Sequence, residues 1–238
     1  MSVAIVTGAS RGLGEALATG LVRTGWSVVV DGREGGALEA AAGRIGAQAT
    51  GGARVIAVAG DVIDEDHRHD LVAAAFELGG LDLLVNNAGT LGAAPLPPLP
   101  EYPLRELRVA FEVNVIAPLG LIQDALPLLL DAPHPRLVNI TSDAAVEPYE
   151  GWGGYGSGKA ALEQLSAVLA AELPPLTVWW VDPGDLRTAM HQAAFPGEDI
   201  SDRPEPTSVV PAFLELIDSE RPSGRYRAAE LATTGAPA

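Results

Sequence analysis

The sequence predicts an α/β chain built on one doubly wound parallel sheet of about seven strands, with helices on both faces. Three observations lead there. Short β-branched runs alternate with longer amphipathic stretches, a glycine-rich turn joins the first run to the first such stretch, and no repeat or linker interrupts the rhythm. Alternation of this kind implies right-handed βαβ units, and runs that are apolar throughout belong to strands covered on both faces.

The elements follow in order. "VAIVT" at 3–7 is the first strand and "GEALATGLVRTG" the helix after it. "SVVVD" at 27–31 and "RVIAVAG" at 54–60 are the next strands, and the helical "DEDHRHDLVAAAFELGG" leads to the strand "LDLLVNN" at 81–87. "RLVNIT" at 136–141, "LTVWWVD" at 176–182 and a weaker "GRYRA" at 224–228 complete the set, with the long helical stretch "YGSGKAALEQLSAVLAAEL" before the sixth strand. Two stretches break the pattern: the proline-rich "TLGAAPLPPLPEYP" at 90–103 and the turn-rich "HQAAFPGEDISDRPEP" at 191–206. Open parallel sheets bind ligands beyond the carboxyl ends of their strands, and both stretches leave that edge. They are the expected walls of a substrate site, with a substrate loop over about 185–206 in one domain spanning 1–238.

Bulk composition narrows the chemistry. A hydrophobic share of 47% with 19% charged residues suits a buried core rather than a disordered chain. The net charge of -16 repels phosphate backbones and anionic membranes, so neither nucleic acid nor membrane is an expected partner. Without cysteine there is no disulfide, thiolate metal site or cysteine nucleophile. His67, His69, His134 and His191 form no ligand cluster, and "HRH" at 67–69 reads as a solvated helix surface, so no metal is expected. The first residues enter a strand at once, without a signal peptide, and no run of about 18 apolar residues spans a membrane. A cytoplasmic protein is the expectation.

The turn "TGASRGLG" carries glycines at Gly8, Gly12 and Gly14 between strand and helix. Glycine lets the backbone approach a pyrophosphate, which then rests on the N–H groups of the helix N-terminus. The spacing G-x-x-x-G-x-G departs from the commoner G-x-G-x-x-G dinucleotide fingerprint. At the end of the second strand, "VVVDGRE" offers two cofactor selectors. Asp31 would accept from the ribose hydroxyls of NAD, and Arg33 would pair with the 2′-phosphate of NADP.

Tyr155 and Lys159 stand at i and i+4 of a helical stretch, so both project from one face. A phenol has a pKa near 10, and an adjacent ammonium is expected to stabilise its phenolate and lower that value. Tyr155 is then a general acid or base. Lys159 is the only lysine in the chain. Arginine's planar fork does not replace a compact ammonium that must sit in a small space and pass a proton.

Together "TGASRGLG", "NNAG" at 86–89, "VNITS" at 138–142, "YGSGK" at 155–159 and "DPG" at 182–184 resemble the short-chain dehydrogenase/reductase family, in its order and over nearly the whole chain. The resemblance implies a Rossmann-like fold and reversible hydride transfer between a nicotinamide cofactor and a carbonyl or alcohol. It implies a catalytic set of Asn114, Ser142, Tyr155 and Lys159, with Ser142 standing 13 residues before Tyr155. Ser142 would donate to the substrate oxygen; its neighbour Thr141 must face the opposite side of the strand. Pro118, four residues after Asn114, lacks the N–H that the Asn114 carbonyl would bond in a regular helix, leaving it free to hold a water.

By the same resemblance, Gly8, Ser10, Arg11, Gly12, Leu13 and Gly14 hold the cofactor's phosphates. Asp61 and Val62 flank its adenine, and Asn87, Ala88 and Gly89 support its centre. Pro183, Gly184 and Thr188 face the nicotinamide, and Tyr155 and Lys159 reach its ribose. The family's selector position, 18 residues beyond Gly14, is Gly32, with Arg33 next and Asp31 one early. NADP(H) is therefore favoured, with Arg11 a second cation, and NAD(H) comes second. Leu91, Met190, His191 and Phe195, with "EPYEGWGG", would line an apolar pocket for a hydrophobic or aromatic carbonyl compound. Asp185 has no assigned role. Family likeness also implies a homodimer or homotetramer paired through the helices carrying Asn114 and Tyr155. A cofactor-sensing scaffold without turnover is the alternative function.

Overall fold

The computed structural model describes residues 1–231. Its seven strands are β1 (Val3–Val6), β2 (Ser27–Gly32), β3 (Val55–Ala59), β4 (Leu83–Asn86), β5 (Arg136–Ile140), β6 (Thr177–Asp182) and β7 (Gly224–Arg227). They form one parallel sheet in the order β3-β2-β1-β4-β5-β6-β7. Every predicted strand is present; six are trimmed by a residue or two at their ends, and β2 runs one residue longer, to Gly32. The chain winds outward from β1 to β3, then returns to lay β4 against β1's other side. That reversal opens a crevice above the carboxyl ends of β1 and β4, the place where such sheets bind ligands.

Alternation along the strands explains why both faces are covered. Ala4, Val6, Val28 and Val30 point to one core, with Leu17 and Leu21 of α1 (Gly12–Arg23), Leu38 of α2 (Gly35–Gly46) and Phe213 of α8 (Val210–Asp218). Val3, Ile5 and Val29 point to the other, with Leu71 of α3 (Glu65–Leu78) and Leu121 and Ala125 of α5 (Ala117–Leu130). Adjacent strand residues face opposite sides, so a strand with no polar side is stable only between two helical layers. The remaining helices are α4 (Leu104–Phe111), α6 (Gly153–Glu172), the short α7 (Ala189–Ala194) and α9 (Ala228–Leu231).

The helical run Leu104–Leu130 has the length and composition of a membrane span, and its Leu121, Ile122, Ala125 and Leu129 are the buried stripe that covers the sheet. One expectation is corrected here: His67 is buried at 5% exposure rather than solvated. Its neighbour His69 is exposed, as expected of residues two apart on a helix.

Candidate active site

The crevice is built from the ends of β1, β4 and β5. Thr7, closing β1, accepts from the backbone N–H groups of Asn87 and Ala88, both at 3.0 Å. Asn87 Nδ2 in turn donates to the carbonyls of Thr7 at 2.8 Å and Gly8 at 3.2 Å, locking the glycine turn to the segment after β4. Gly8 has φ +65°, a conformation glycine adopts without penalty. At Gly14 the reason is crowding: a Cβ would lie 2.5 Å from the Gly8 carbonyl oxygen and 2.6 Å from Asn87 Nδ2. Gly12 faces Thr188, whose Cγ2 would be 3.6 Å from a Cβ there, so the turn and the start of α7 meet over the crevice. Thr188 caps α7 by accepting from the His191 N–H at 3.1 Å.

Arg11 and Arg33 are exposed and carry no ion pair among the described residues. A Cβ at Gly32 would lie 3.0 Å from the Ser10 Cβ, so the end of β2 closely approaches the turn. Asp31, the alternative selector, is elsewhere. It is 1% exposed, and its carboxylate accepts from the Gly8 N–H and from His67 Nε2. Both oxygens of this carboxylate are engaged by the protein's own groups. Asp61 accepts from the Ile63 N–H, and Val62 is buried beside it.

Asn114 lies where the long helix widens into a π-turn over Glu112–Ile116. Such bulges accommodate a local break in i to i+4 bonding, here beside Pro118. The Asn114 side chain is fully buried, accepts from the Thr90 N–H at 2.9 Å and donates to the Thr90 carbonyl at 2.8 Å. Gly89 touches both machineries: a Cβ there would lie 3.2 Å from Asn114 Oδ1 and 3.7 Å from Lys159 Nζ.

Lys159 is 3% exposed and donates to the Ile140 carbonyl at 2.8 Å, with Nζ 5.6 Å from the Tyr155 ring centroid. Burial lowers its pKa from 10.5 to about 8. The phenol of Tyr155 moves the other way. Burial raises its pKa well above the ordinary value, the Ser142 hydroxyl opposes the shift, and Asp182 and Asp143 add to it. The expected lowering by Lys159 is therefore not found, because the ammonium lies against the ring and the Ile140 carbonyl while desolvation dominates at the phenol.

Ser142 Oγ donates to Asp143 at 3.0 Å and accepts from the Ala144 N–H at 3.2 Å. Thr141, its rival, points away and donates to Glu163 of α6 at 2.7 Å. Pro183 and Gly184 follow β6, where the Gly184 N–H donates to Asp182 at 2.9 Å. Around Tyr155, Leu91, Ala144 and Ala194 form an apolar cluster with Leu96, Trp152 and Phe195 against it. Trp152 stands edge-on to Tyr155 at 5.7 Å, and His191 packs on Phe195 at 4.9 Å. Met190, expected in this lining, is exposed instead. Asp185 lies between His191, at 3.8 Å, and Arg203, at 3.7 Å, while His191 Nε2 is buried without a bonding partner among the described residues.

Several supporting residues escaped the sequence reading. Asn86 donates to Asn139 at 2.9 Å, and Asn139 to Ser166 at 2.8 Å, a buried amide chain tying β4 and β5 to α6. Arg225 of β7 reaches Glu163 at 3.0 Å and the Ser142 carbonyl at 3.1 Å, fixing the serine's peptide. The available signal was a polar residue inside each apolar strand, which must find a buried partner. No group of three or more His, Cys, Asp or Glu is placed to hold a metal among the described residues.

Comparison with known proteins gives consistent results. The family model described as short chain dehydrogenase matches residues 2–199. Sepiapterin reductase of Mus musculus is 37% identical over 203 residues, covering 81% of this chain and 77% of that protein. Serine 3-dehydrogenase of Agrobacterium fabrum is 36% identical over 188 residues, covering 77% and 72%. Among solved structures, a short chain dehydrogenase from Shigella flexneri complexed with NADP superposes with a TM-score of 0.86 at 29% identity, covering 96% of this chain and 97% of that one.

Proposed function

The chain belongs to the short-chain dehydrogenase/reductase family, and from that premise we propose that it is an NADP(H)-preferring oxidoreductase that reduces a hydrophobic carbonyl compound, and reversibly oxidises the alcohol. One observation carries the reading: Ser142, Tyr155 and a buried Lys159 converge at the crevice edge, with Asn114 held behind them by Thr90. The residues present fit the dinucleotide, because the turn leaves no room for a Cβ at Gly14 and two free guanidinium groups, Arg11 and Arg33, stand beside it. When bound, NADPH supplies the hydride that the carbonyl carbon receives.

The chain's own residues handle the proton. A phenol held neutral by burial keeps its proton until the carbonyl oxygen becomes basic, and Tyr155 then donates to it. Ser142 stabilises the same oxygen as charge develops. Lys159 keeps its ammonium 5.6 Å from the Tyr155 ring centre, and a water at the Asn114 carbonyl would return the proton from solvent to the phenolate left at Tyr155. Leu91, Leu96, Trp152 and Phe195 exclude water and favour an apolar or aromatic substrate, with His191 Nε2 as one polar contact. The reading extends to a cytoplasmic homodimer or homotetramer and to one domain over the whole chain, which the family's habits support.

Oxidation of NADPH over a panel of ketones and aldehydes tests the reading; tight NADPH binding without turnover would leave the cofactor-sensing alternative. Arg33→Ala should lower kcat/KM for NADPH by about 10- to 100-fold and leave NADH nearly unchanged, as expected for a lost charge-assisted bond to phosphate. A wild-type preference for NADH would refute that assignment. Protonation adds a second check. Lys159 is an ammonium below about pH 8 and loses its charge above it, so kcat/KM for reduction should be level below that pH and decline above it. A profile rising from pH 8 to 10 would contradict this role.

A further inference from the structure

We infer that Asp31 and His67 form a brace beneath the glycine turn that sets the affinity for the dinucleotide, and that neither residue touches it. The inference rests on the NADP(H) reading above. Asp31 grips the turn twice: its backbone carbonyl accepts from the Ala9 N–H at 2.9 Å, and its carboxylate accepts from the Gly8 N–H. The other carboxylate oxygen is 3.1 Å from His67 Nε2, and both side chains are almost fully buried. His67 comes from α3, whose first turn follows the Asp61–Val62 segment. The imidazole has room there only because residue 60 is glycine; a Cβ would lie 2.2 Å from its Nδ1.

The arrangement does two things. Asn87 holds the turn from the β4 side through the Thr7 and Gly8 carbonyls, and Asp31 holds it from the β2 side through the next N–H groups. The leading N–H groups of α1 are thereby fixed toward the phosphates before any ligand arrives, which lowers the ordering cost of binding. A buried carboxylate under an anion site also needs a partner, since an uncompensated charge there is costly and repels phosphate. His67 is that partner. Without it, one Asp31 carboxylate oxygen is left without its donor in the core, and the side chain that holds Gly8 is no longer fixed from behind.

The test is NADPH binding measured by its fluorescence, with melting temperature and kcat at saturating NADPH recorded for each protein. His67→Phe fills the space under Gly60 without the bond and should bind NADPH about ten-fold more weakly, the loss expected for one bond to a charged group. Its kcat at saturation should stay within about two-fold, because the brace acts on cofactor binding and not on the proton step. His67→Gln, which can place an amide nitrogen near Nε2, should recover most of the affinity. A folded His67→Phe protein that binds NADPH like wild type overturns the brace, as does weakening of equal size in His67→Gln. If His67→Phe fails to fold, Asp31→Asn decides, with weaker NADPH binding in support and an unchanged Kd against. Failure of the wild-type chain to bind NADPH would instead overturn the cofactor reading, and the inference with it.

Discussion

Tyr155→Phe is expected to lower kcat/KM for NADPH-dependent carbonyl reduction by about 10³-fold, in the range that positioned acid catalysis contributes. The ring is kept and only the hydroxyl is lost, so its contacts with Leu91, Trp152 and Ala194 should persist. Dinucleotide affinity, held mainly by the glycine turn and the arginines, should change by less than about two-fold. The hydroxyl bonds to Ser142 but is desolvated and faces Asp182 and Asp143, so removing it should leave stability nearly unchanged. Steady-state kinetics with a reducible ketone, beside NADPH titration, checks all three points. Activity surviving within a few-fold would show that another group delivers the proton.

Lys159→Met is expected to abolish reduction while making the protein more stable. The ammonium is buried with the Ile140 carbonyl as its hydrogen-bond acceptor and no carboxylate ion pair among the described residues, and its pKa falls from 10.5 to about 8. A base whose folded pKa lies below its unfolded value destabilises the fold wherever it is charged. That cost, up to about 3 kcal/mol from the size of the shift, is fully present below about pH 8 and fades as pH rises toward 10.5. The stability advantage of Lys159→Met over wild type should therefore be largest near pH 7 and shrink from pH 8 to 10. Denaturant unfolding at several pH values measures it; a variant less stable at pH 7 would mean that the lysine's hydrogen bond outweighs its desolvation. Lys159→Arg provides the complementary check. A guanidinium is wider and planar where the Lys159 ammonium sits against the Ile140 carbonyl and the Tyr155 ring, so near-normal activity in that variant would deny the need for an ammonium.

These expectations show where stability has been given up for chemistry. An unpaired buried cation next to a desolvated phenol is a poor way to build a core and a good way to hold a proton in place. The surrounding network is otherwise satisfied: Asn86, Asn139 and Ser166 bond in series, and Arg225 meets Glu163. Among the described residues, the orphaned buried atoms are His191 Nε2 and Arg203 Nε, both beside the substrate loop. A bound substrate would find a polar contact there.

The seven strands, their parallel order of use and the two-sided burial were legible in the sequence because apolar runs of strand length followed by helical stretches admit few other packings. Tyr155, Lys159 and Ser142 were singled out by their likeness to the family's motifs; spacing alone foretold that Tyr155 and Lys159 share one helix, which α6 bears out. Strand alternation required Thr141 and Ser142 to point apart, as they do, while the choice of Ser142 came from the family resemblance. His67 was not legible, since its helix is polar on most sides and burial depends on Gly60 and Asp31, which are remote in sequence. Asp31, which the sequence offered only as the second-choice ribose ligand, was not legible as a buried hydrogen-bonding residue for the same reason. Its partners, Gly8 and His67, lie 23 and 36 residues away and are brought to it by the β1–β2 pairing and the packing of α3.

By itself, the sequence determined which elements form and which residue types stand at the ends of the strands, because local propensity and periodicity depend on near neighbours. The tertiary structure decided which charges are buried, what each is bonded to, and therefore the sign of each pKa shift. Desolvation and long-range hydrogen bonds depend on surroundings assembled from distant parts of the chain. Lys159 lies on both sides of this division: its position was readable from four residues of spacing, and its lowered pKa came from the strands, loops and helices that close around it.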